Sequence, residues 1–409
     1  MKRVVITGLG AITPVGCTVD TFWDSLKSGK CGIDYITKFD TSEYRVKVAA
    51  EINDFDPSLY MEKSDIRRSD KFVQYAIAAA SQAVADSGIE GSVAPDRFGV
   101  YYGSGIGGFD TFLAEHNNML QRGPLRVSPL FIPKMIMNMA AGNIAIKFGA
   151  KGTCISVSTA CATGTTAIGE AFRAIKSGYA DAIIAGGVEA SINEMAVAAF
   201  MNCMALSESE DKDAASIPFD KRRGGFVMGE GAGALIVEEY EHAKARGAKI
   251  YAEVVGYGST CDAFHVTAPD DSAEASGRAF SDCLKEYGKT FAPEKVYINA
   301  HGTSTPLNDK TETKAIKNAF GEDAYKVHIS STKSMTGHLL GAAGAIEGIA
   351  AILALNENII PPTIGYKEAD EECDLDYTPN TAKETEVELA MSSSLGFGGH
   401  NACIAFAKI

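Results

Sequence analysis

Two stretches of this chain repeat one order of elements, and that repetition limits the fold more than any single motif. CISVSTACATGTTAIGEAFRAI (154–175) runs from a short β-rich segment into a helix of small residues, and VHISSTKSMTGHLLGAAGAIEGIAAILAL (327–355) has the same layout. A second match links VVITGLGAITPVG (4–16) with VYINAHGTSTPLND (296–309) through the apolar run and the placement of Gly, Thr and Pro. Two strand-then-helix halves with long apolar helices predict a duplicated α/β fold whose sheets are covered on both faces. No Pro/Ser-rich linker divides the chain, so the repeat itself sets the joint near residue 249, giving halves 1–249 and 250–409. The N-terminal half carries the longer insertions, a helical segment over Asp65–Ser87 and a loop over Gly103–Pro133. Insertions of this kind usually carry specificity or subunit contacts.

At 409 residues and 46% hydrophobic content the chain has ample apolar surface for a large core, which excludes a disordered protein. Its net charge of −14 excludes a general nucleic-acid binder, and an acidic partner must therefore meet a local basic patch. The opening MKRVVITGLGAITPVG has only a short, glycine-broken apolar run and reads as a first strand, so a cytoplasmic protein is expected. The most membrane-like stretch, His338–Leu355, has Glu347 at its middle and is dominated by Ala and Gly, the composition of a closely packed internal helix. Nine cysteines without a CxxC pair fit reduced thiols in a reducing compartment.

Chemistry-bearing side chains gather at the strand-to-helix junctions. Cys161, in STACATG, follows the run CISVS at the start of a helix. There the unpaired N–H groups and the positive end of the helix dipole favour a thiolate. Free cysteines are commonly small core residues, and the other eight are read that way. His301 follows KVYINA, and His338 follows VHISS and the loop TKSMTG. A single histidine is more often a structural hydrogen-bonding residue, but three reactive side chains at three such junctions point to a site. Glu347, inside an apolar helix, needs a partner, and Lys333 is the nearest cation in sequence. Asp309 is read as the cap of the helix DKTETKAIKNAF. Near the C-terminus, strand-like ELAMSSS and ACIAFAKI flank the turn LGFGGHN, whose glycines let backbone approach a ligand and whose Phe397 is a candidate gate. GSGIGG (103–108) formally matches a dinucleotide fingerprint, but no acidic residue lies about twenty positions on to hold a ribose, so NAD binding is rejected.

Taken together, VSTACATGTTAIGEA, HGTSTPLND, STKSMTGHLLGAAGAIE and SLGFGGHN resemble the nucleophile, first-histidine, second-histidine and glycine-turn segments of the 3-oxoacyl-[acyl carrier protein] synthases of type II. These are stand-alone elongating condensing enzymes, and the resemblance covers essentially the whole chain. It implies a thiolase-like, pseudo-duplicated, five-layer α-β-α-β-α fold. It implies Cys161 as nucleophile, His301 and His338 as active-site imidazoles, Lys333, Glu347 and Asp309 in support, and an oxyanion hole from the N–H groups of Cys161 and Phe397. By the same resemblance Ile106, Phe200 and Phe397 border the acyl pocket, and Thr303 and Thr305 contact the pantetheine arm. Lys63, Arg67, Arg68, Lys71 and Arg126 would dock an acidic acyl carrier protein. A homodimer is implied, with no metal and no cofactor beyond the carrier-borne substrates. Asn308 departs from the family, which commonly has Gly there. Initiating condensing enzymes carry Asn where His338 stands, and the second cysteine of thiolases has no match, since Cys403 lies inside the final strand.

The implied reaction is a decarboxylative condensation. An acyl group moves to Cys161, malonyl loses CO2, and neutral histidines donate to the developing enolate oxygen. A ketosynthase of a dissociated polyketide system would use the same residues, and a non-catalytic chain-length-factor-like subunit would keep the fold without the nucleophile.

Overall fold

The computed structural model describes all 409 residues. Ten strands form one mixed sheet, running from one edge to the other as 328–330, 296–299, 389–396, 400–407, 252–261, 4–12, 231–239, 182–189, 98–104 and 154–155. Outward from the middle, each half repeats one pattern: two antiparallel pairings, then two parallel ones. Within the sheet the halves pair only through Val5 opposite Glu253 and Ile6 opposite Ala252.

Helices cover both faces of each half. Lys71–Ser87 and Met139–Phe148 pack outside the N-terminal half, and Glu274–Tyr287 and Pro306–Phe320 outside the C-terminal half. Thr163–Lys176 and Ala343–Glu357 lie between the halves, so the layers run α-β-α-β-α. A strand covered on both faces has no polar side, and every residue of Val4–Ile12 is buried. Its Gly10 is dictated by close approach, because a side chain there would drive into the Ala79 carbonyl of the outer helix. The central helices cross equally closely: a Cβ on Gly164 would lie 2.5 Å from the Ala345 nitrogen, and one on Gly344 2.6 Å from that of Thr165. Leu340–Glu357 is long and apolar enough to cross a membrane, yet 89% of that window is buried inside the protein, which makes it core.

Three sequence expectations are corrected. The sheet position equivalent to Val4–Ile12 is Ala252–Cys261, whereas Val296–Asn299 is equivalent to Phe98–Ser104. The match between 4–16 and 296–309 thus reflects a shared strand-to-Gly-turn chemistry and not a shared place. Asp65–Ser87 is no insertion: Asp70 caps Lys71–Ser87, which forms an outer layer opposite the sheet, as Glu274–Tyr287 does in the other half. The stretch 103–133 is largely helical, with helix Phe109–Arg122 at its centre.

Candidate active site

The repeated unit 154–175 and 327–355 occupies matching places at the two ends of the sheet. Edge strands Cys154–Ile155 and His328–Ser330 lead to 3-10 turns, Ala160–Ala162 and Leu340–Ala342, and then to the two central helices. Both turns begin on a left-handed non-glycine residue, Ala160 (φ 49°) and Leu340 (φ 47°), a strained backbone that the fold holds twice. Thr163 staples the first turn, its Oγ1 donating to the Ala160 carbonyl (2.7 Å) and accepting from the Thr159 N–H (2.9 Å). Cys161 sits in the middle of that turn, at the N-terminal end of Thr163–Lys176.

The C-terminal hairpin strands Leu389–Gly396 and His400–Ala407 carry the glycine turn to this point. A Cβ on Gly396 would lie 2.7 Å from the Thr159 carbonyl and 3.2 Å from the Cys161 nitrogen, so glycine is what lets the two turns touch. The Phe397 N–H is directed at the Cys161 sulfur. Cys161, His301, His338 and Phe397 line one cavity of about 350 Å³. Burial pushes the Cys161 thiol up to about 12, outweighing the downward pull of the Lys333 ammonium and the Phe397 N–H. The expectation from sequence that the helix terminus favours a thiolate is therefore overridden by desolvation, and the resting group is a thiol.

The two imidazoles stand edge to face with ring centres 5.2 Å apart. Burial, reinforced by the Lys333 charge, holds both well below the usual histidine range, and His301 is lowered further by His338. Both are neutral at pH 7. Lys333 Nζ lies 3.4 Å from His301 Nδ1. An ammonium has only donors, so His301 Nδ1 accepts and its proton resides on Nε2. His338 is pinned by its backbone, its N–H donating to Val227 O (2.7 Å) and its carbonyl accepting from Gly229 N (2.8 Å). Its Nδ1 is buried without a protein partner. Lys333 and Glu347 form the expected pair, 1% and 2% exposed, with Glu347 Oε1 against Lys333 Nζ. Burial raises the Glu347 carboxyl while Lys333 opposes the rise.

Asp309 is not a helix cap. The helix begins at Pro306 and Thr305 caps it, accepting from the Asn308 N–H. Asp309 lies inside the first turns, fully buried, where Oδ2 accepts from the Phe219 N–H (2.8 Å) and stands 3.7 Å from Arg223. It ties the segment after His301 to a distant loop. Thr303 and Thr305 line the cavity with hydroxyls 3.0 Å apart. Phe200 also lines it, packing against Phe226 (5.6 Å) and Phe397 (6.4 Å). Ile106 is not on the wall and packs behind it, in the apolar cluster that includes Phe200 and Cys161. Lys63, Arg67, Arg68 and Arg126 are exposed and Lys71 half-buried, and none makes an ion pair within the chain.

Two carboxylates escaped the sequence reading. Glu312 accepts from the N–H groups of His301 and Gly302 and from Ser393 Oγ, each at 2.7 Å, and so fixes the backbone that aims His301. Burial raises it to about 7. Glu189 accepts from Ser104 Oγ (2.9 Å), Ser191 Oγ (3.2 Å) and the N–H groups of Gly105 (2.9 Å), Ile106 (3.2 Å) and Gly341 (3.1 Å). It fills the N–H groups of the GSGIGG turn, where a dinucleotide phosphate would have to sit. The only available signal for Glu312 was its position three residues after Asp309 on the same helix. No group of His, Cys, Asp and Glu is arranged to hold a metal ion.

Comparison with known proteins finds relatives along the whole chain. Residues 1–243 match the N-terminal domain and residues 251–367 the C-terminal domain of the beta-ketoacyl synthase models. The 3-oxoacyl-[acyl-carrier-protein] synthase 2 of Staphylococcus aureus is 51% identical over 409 residues, covering 100% of this chain and 98% of its own. Its namesake in a Synechocystis species is 50% identical over 410 residues, with the same coverage. Among solved structures, a beta-ketoacyl synthase from Burkholderia phymatum superposes with a TM-score of 0.91 at 36% identity, and both chains are covered completely. A type II polyketide ketosynthase in complex with its acyl-carrier protein gives 0.90 at 33%, again over the full length of both. With both domain models matched and relatives half identical from end to end, this chain belongs to the beta-ketoacyl synthase family.

Proposed function

We propose that the chain is an elongating 3-oxoacyl-[acyl carrier protein] synthase of fatty acid synthesis, with Cys161 as nucleophile and His301 and His338 as donors to the enolate. The observation that carries this is the cavity that sets the Cys161 thiol beside two neutral imidazoles. Cys161 Sγ attacks the acyl thioester, the carrier thiolate leaves with the sulfhydryl proton, and an acyl-Cys161 thioester remains. A malonyl thioester then loses CO2, and the electron pair of the broken C–C bond becomes an enolate. Its oxygen takes hydrogen bonds from His301 Nε2–H and from the neutral imidazole of His338. The enolate carbon attacks acyl-Cys161, the N–H groups of Cys161 and Phe397 hold the oxyanion, and collapse expels Cys161 as a thiolate, which takes a proton from solvent to regain the resting thiol while the 3-oxoacyl product leaves on its carrier.

Neutral imidazoles suit this chemistry, since decarboxylation supplies the carbanion without a strong base and the enolate needs donors. Lys333 acts on His301 by fixing its tautomer, and Glu347 balances the Lys333 charge. Phe397 stands as a gate, and Thr303 and Thr305 offer hydroxyls to the pantetheine arm. The fatty-acid reading is favoured over a polyketide one by identity: 51% to the fatty-acid enzyme against 33% to the polyketide ketosynthase.

The acyl carrier protein partner would dock on Lys63, Arg67, Arg68, Lys71 and Arg126, cations that make no ion pair within a chain of net charge −14. A homodimer is supported by the exposed edge strand Cys154–Ile155 and by exposed Leu120, Leu125 and Ile132. Cytoplasmic residence is supported by nine unpaired cysteines. The deciding experiment is the intact mass of the protein after incubation with acyl-carrier protein. One acyl group, mapped to Cys161, is expected, and an unmodified Cys161 would refute the assignment.

A further inference from the structure

Among the polar side chains on the cavity wall that the reaction as described leaves without a task, one is held in a fixed orientation by the protein behind it. Asn308 lies in the first turn of helix Pro306–Phe320, 9% exposed, and lines the cavity beside Thr303, Thr305 and Leu307. Its orientation is fixed by the groups behind it. Nδ2 donates to Asp309 Oδ1 at 3.1 Å, and Asp309 is in turn anchored by the Phe219 N–H and Arg223. Arg223 also holds the carbonyls of Thr305 (3.3 Å) and Pro306 (3.1 Å), so the whole turn is braced from the protein side. The amide of Asn308 therefore has no freedom to flip, because the reverse orientation would set its carbonyl oxygen against a carboxylate.

That leaves Oδ1. It accepts no hydrogen bond from any protein group, and it is not among the buried polar atoms without a partner, so it remains accessible. A pinned acceptor on the wall of a substrate cavity is suited to a ligand N–H. Hydroxyl-rich neighbours and the exposed apolar Leu307 make this part of the wall fit a flexible arm carrying both amide and alkyl segments.

We propose that Asn308 is a specificity-determining residue whose Oδ1 accepts an amide N–H of the carrier's pantetheine arm and so selects thioesters borne on that arm over simple thioesters. The inference rests on the reading of the cavity as a carrier-thioester site. Loss of one such bond is worth about 3- to 10-fold in binding. The contact is made to the arm and not to the reacting carbonyl, so it belongs to KM and not to kcat.

The test compares wild type with Asn308→Ala and Asn308→Leu, using the same acyl group on pantetheine and on a plain alkyl thiol that has no amide. Acylation of Cys161 is followed by mass. For both variants KM for the pantetheine thioester should rise about 3- to 10-fold with kcat retained, while the alkyl thioester is handled as by wild type. Asn308→Ala guards against a folding failure of the leucine variant. Equal loss on both thioesters, or no loss on either, overturns the proposal while leaving Cys161 acylation in wild type intact. If wild type itself takes no acyl group from pantetheine, the reading of the cavity falls first and this inference with it.

Discussion

The two strand-turn-helix units at opposite ends of the sheet have one backbone and opposite fates. In the first, the turn Ala160–Ala162 meets the end of strand Leu389–Gly396, where glycine leaves an opening and Phe397 turns its N–H toward sulfur. In the second, the turn Leu340–Ala342 meets the end of strand Ala182–Glu189, and the residue there is a carboxylate. Glu189 accepts the N–H of Gly341, which holds the place that Cys161 holds in the first unit. One crossing carries no side chain at its strand end; the other is filled by a carboxylate oxygen of the protein itself. The contrast rests on two positions, Cys161 against Gly341 in the turn and Gly396 against Glu189 at the strand end.

The comparison predicts that changes at the open crossing cost rate and changes at the closed one cost stability. The largest effect belongs to Cys161→Ala, which should abolish condensation with the circular dichroism spectrum unchanged, since a small residue replaces a small one. A loss of folding would make the thiol structural. Next come His301→Ala and His338→Ala. Each removes a donor to the enolate, so CO2 release from malonyl-carrier protein should fall about 10²- to 10³-fold. Acylation of Cys161, followed by mass, should persist. Wild-type CO2 release with failed acylation would instead make that histidine the general base for the thiol. Because both rings are held below the ordinary histidine value, the wild-type rate of CO2 release should stay level from pH 8 down through about 6.5. In the unfolded chain these histidines take up protons near that pH, and in the folded one they do not, so their contribution to stability is lost as pH falls.

Much of this was legible in the sequence, and the parts that were not share a cause. Cys161, His301 and His338 each follow a strand, and Glu347 advertises its need for Lys333 by standing charged in an apolar helix. Local order is enough to find them. Asp309 was misread as a cap because its true partners, Phe219 and Arg223, are separated from it by more than eighty positions in sequence and come together only through the fold. Glu189 and Glu312 were missed for the same reason: nothing near a carboxylate in sequence says that five donors, or three, will converge on it. The pairing of 4–16 with 296–309 failed because a Gly-Thr-Pro turn after an apolar strand serves either sheet position equally well.

The remaining predictions are smaller. Glu189→Ala leaves the N–H groups of Gly105, Ile106 and Gly341 without acceptors and should lower stability by about 3 kcal/mol, read from the denaturant midpoint. Retained stability with lost acyl transfer would show that the closed crossing takes part in the reaction after all. Charge reversal at Lys63, Arg67 and Arg68 together should weaken use of carrier-bound acyl groups several-fold, by about 1 kcal/mol, and more at low salt. A small thioester analogue should be unaffected, and equal loss on both would remove the docking role.

The strand seam between the halves consists of two residue pairs, and the nucleophile and the imidazoles lie on opposite sides of it. The working distance between sulfur and ring nitrogen is therefore a property of how the two plates are mounted, not of either plate. Their mounting is the bearing formed by helices Thr163–Lys176 and Ala343–Glu357, which touch backbone to backbone at Gly164 and Gly344. A methyl group added at either glycine would act as a shim, prying the plates apart and detuning every reacting distance at once without touching a reacting atom.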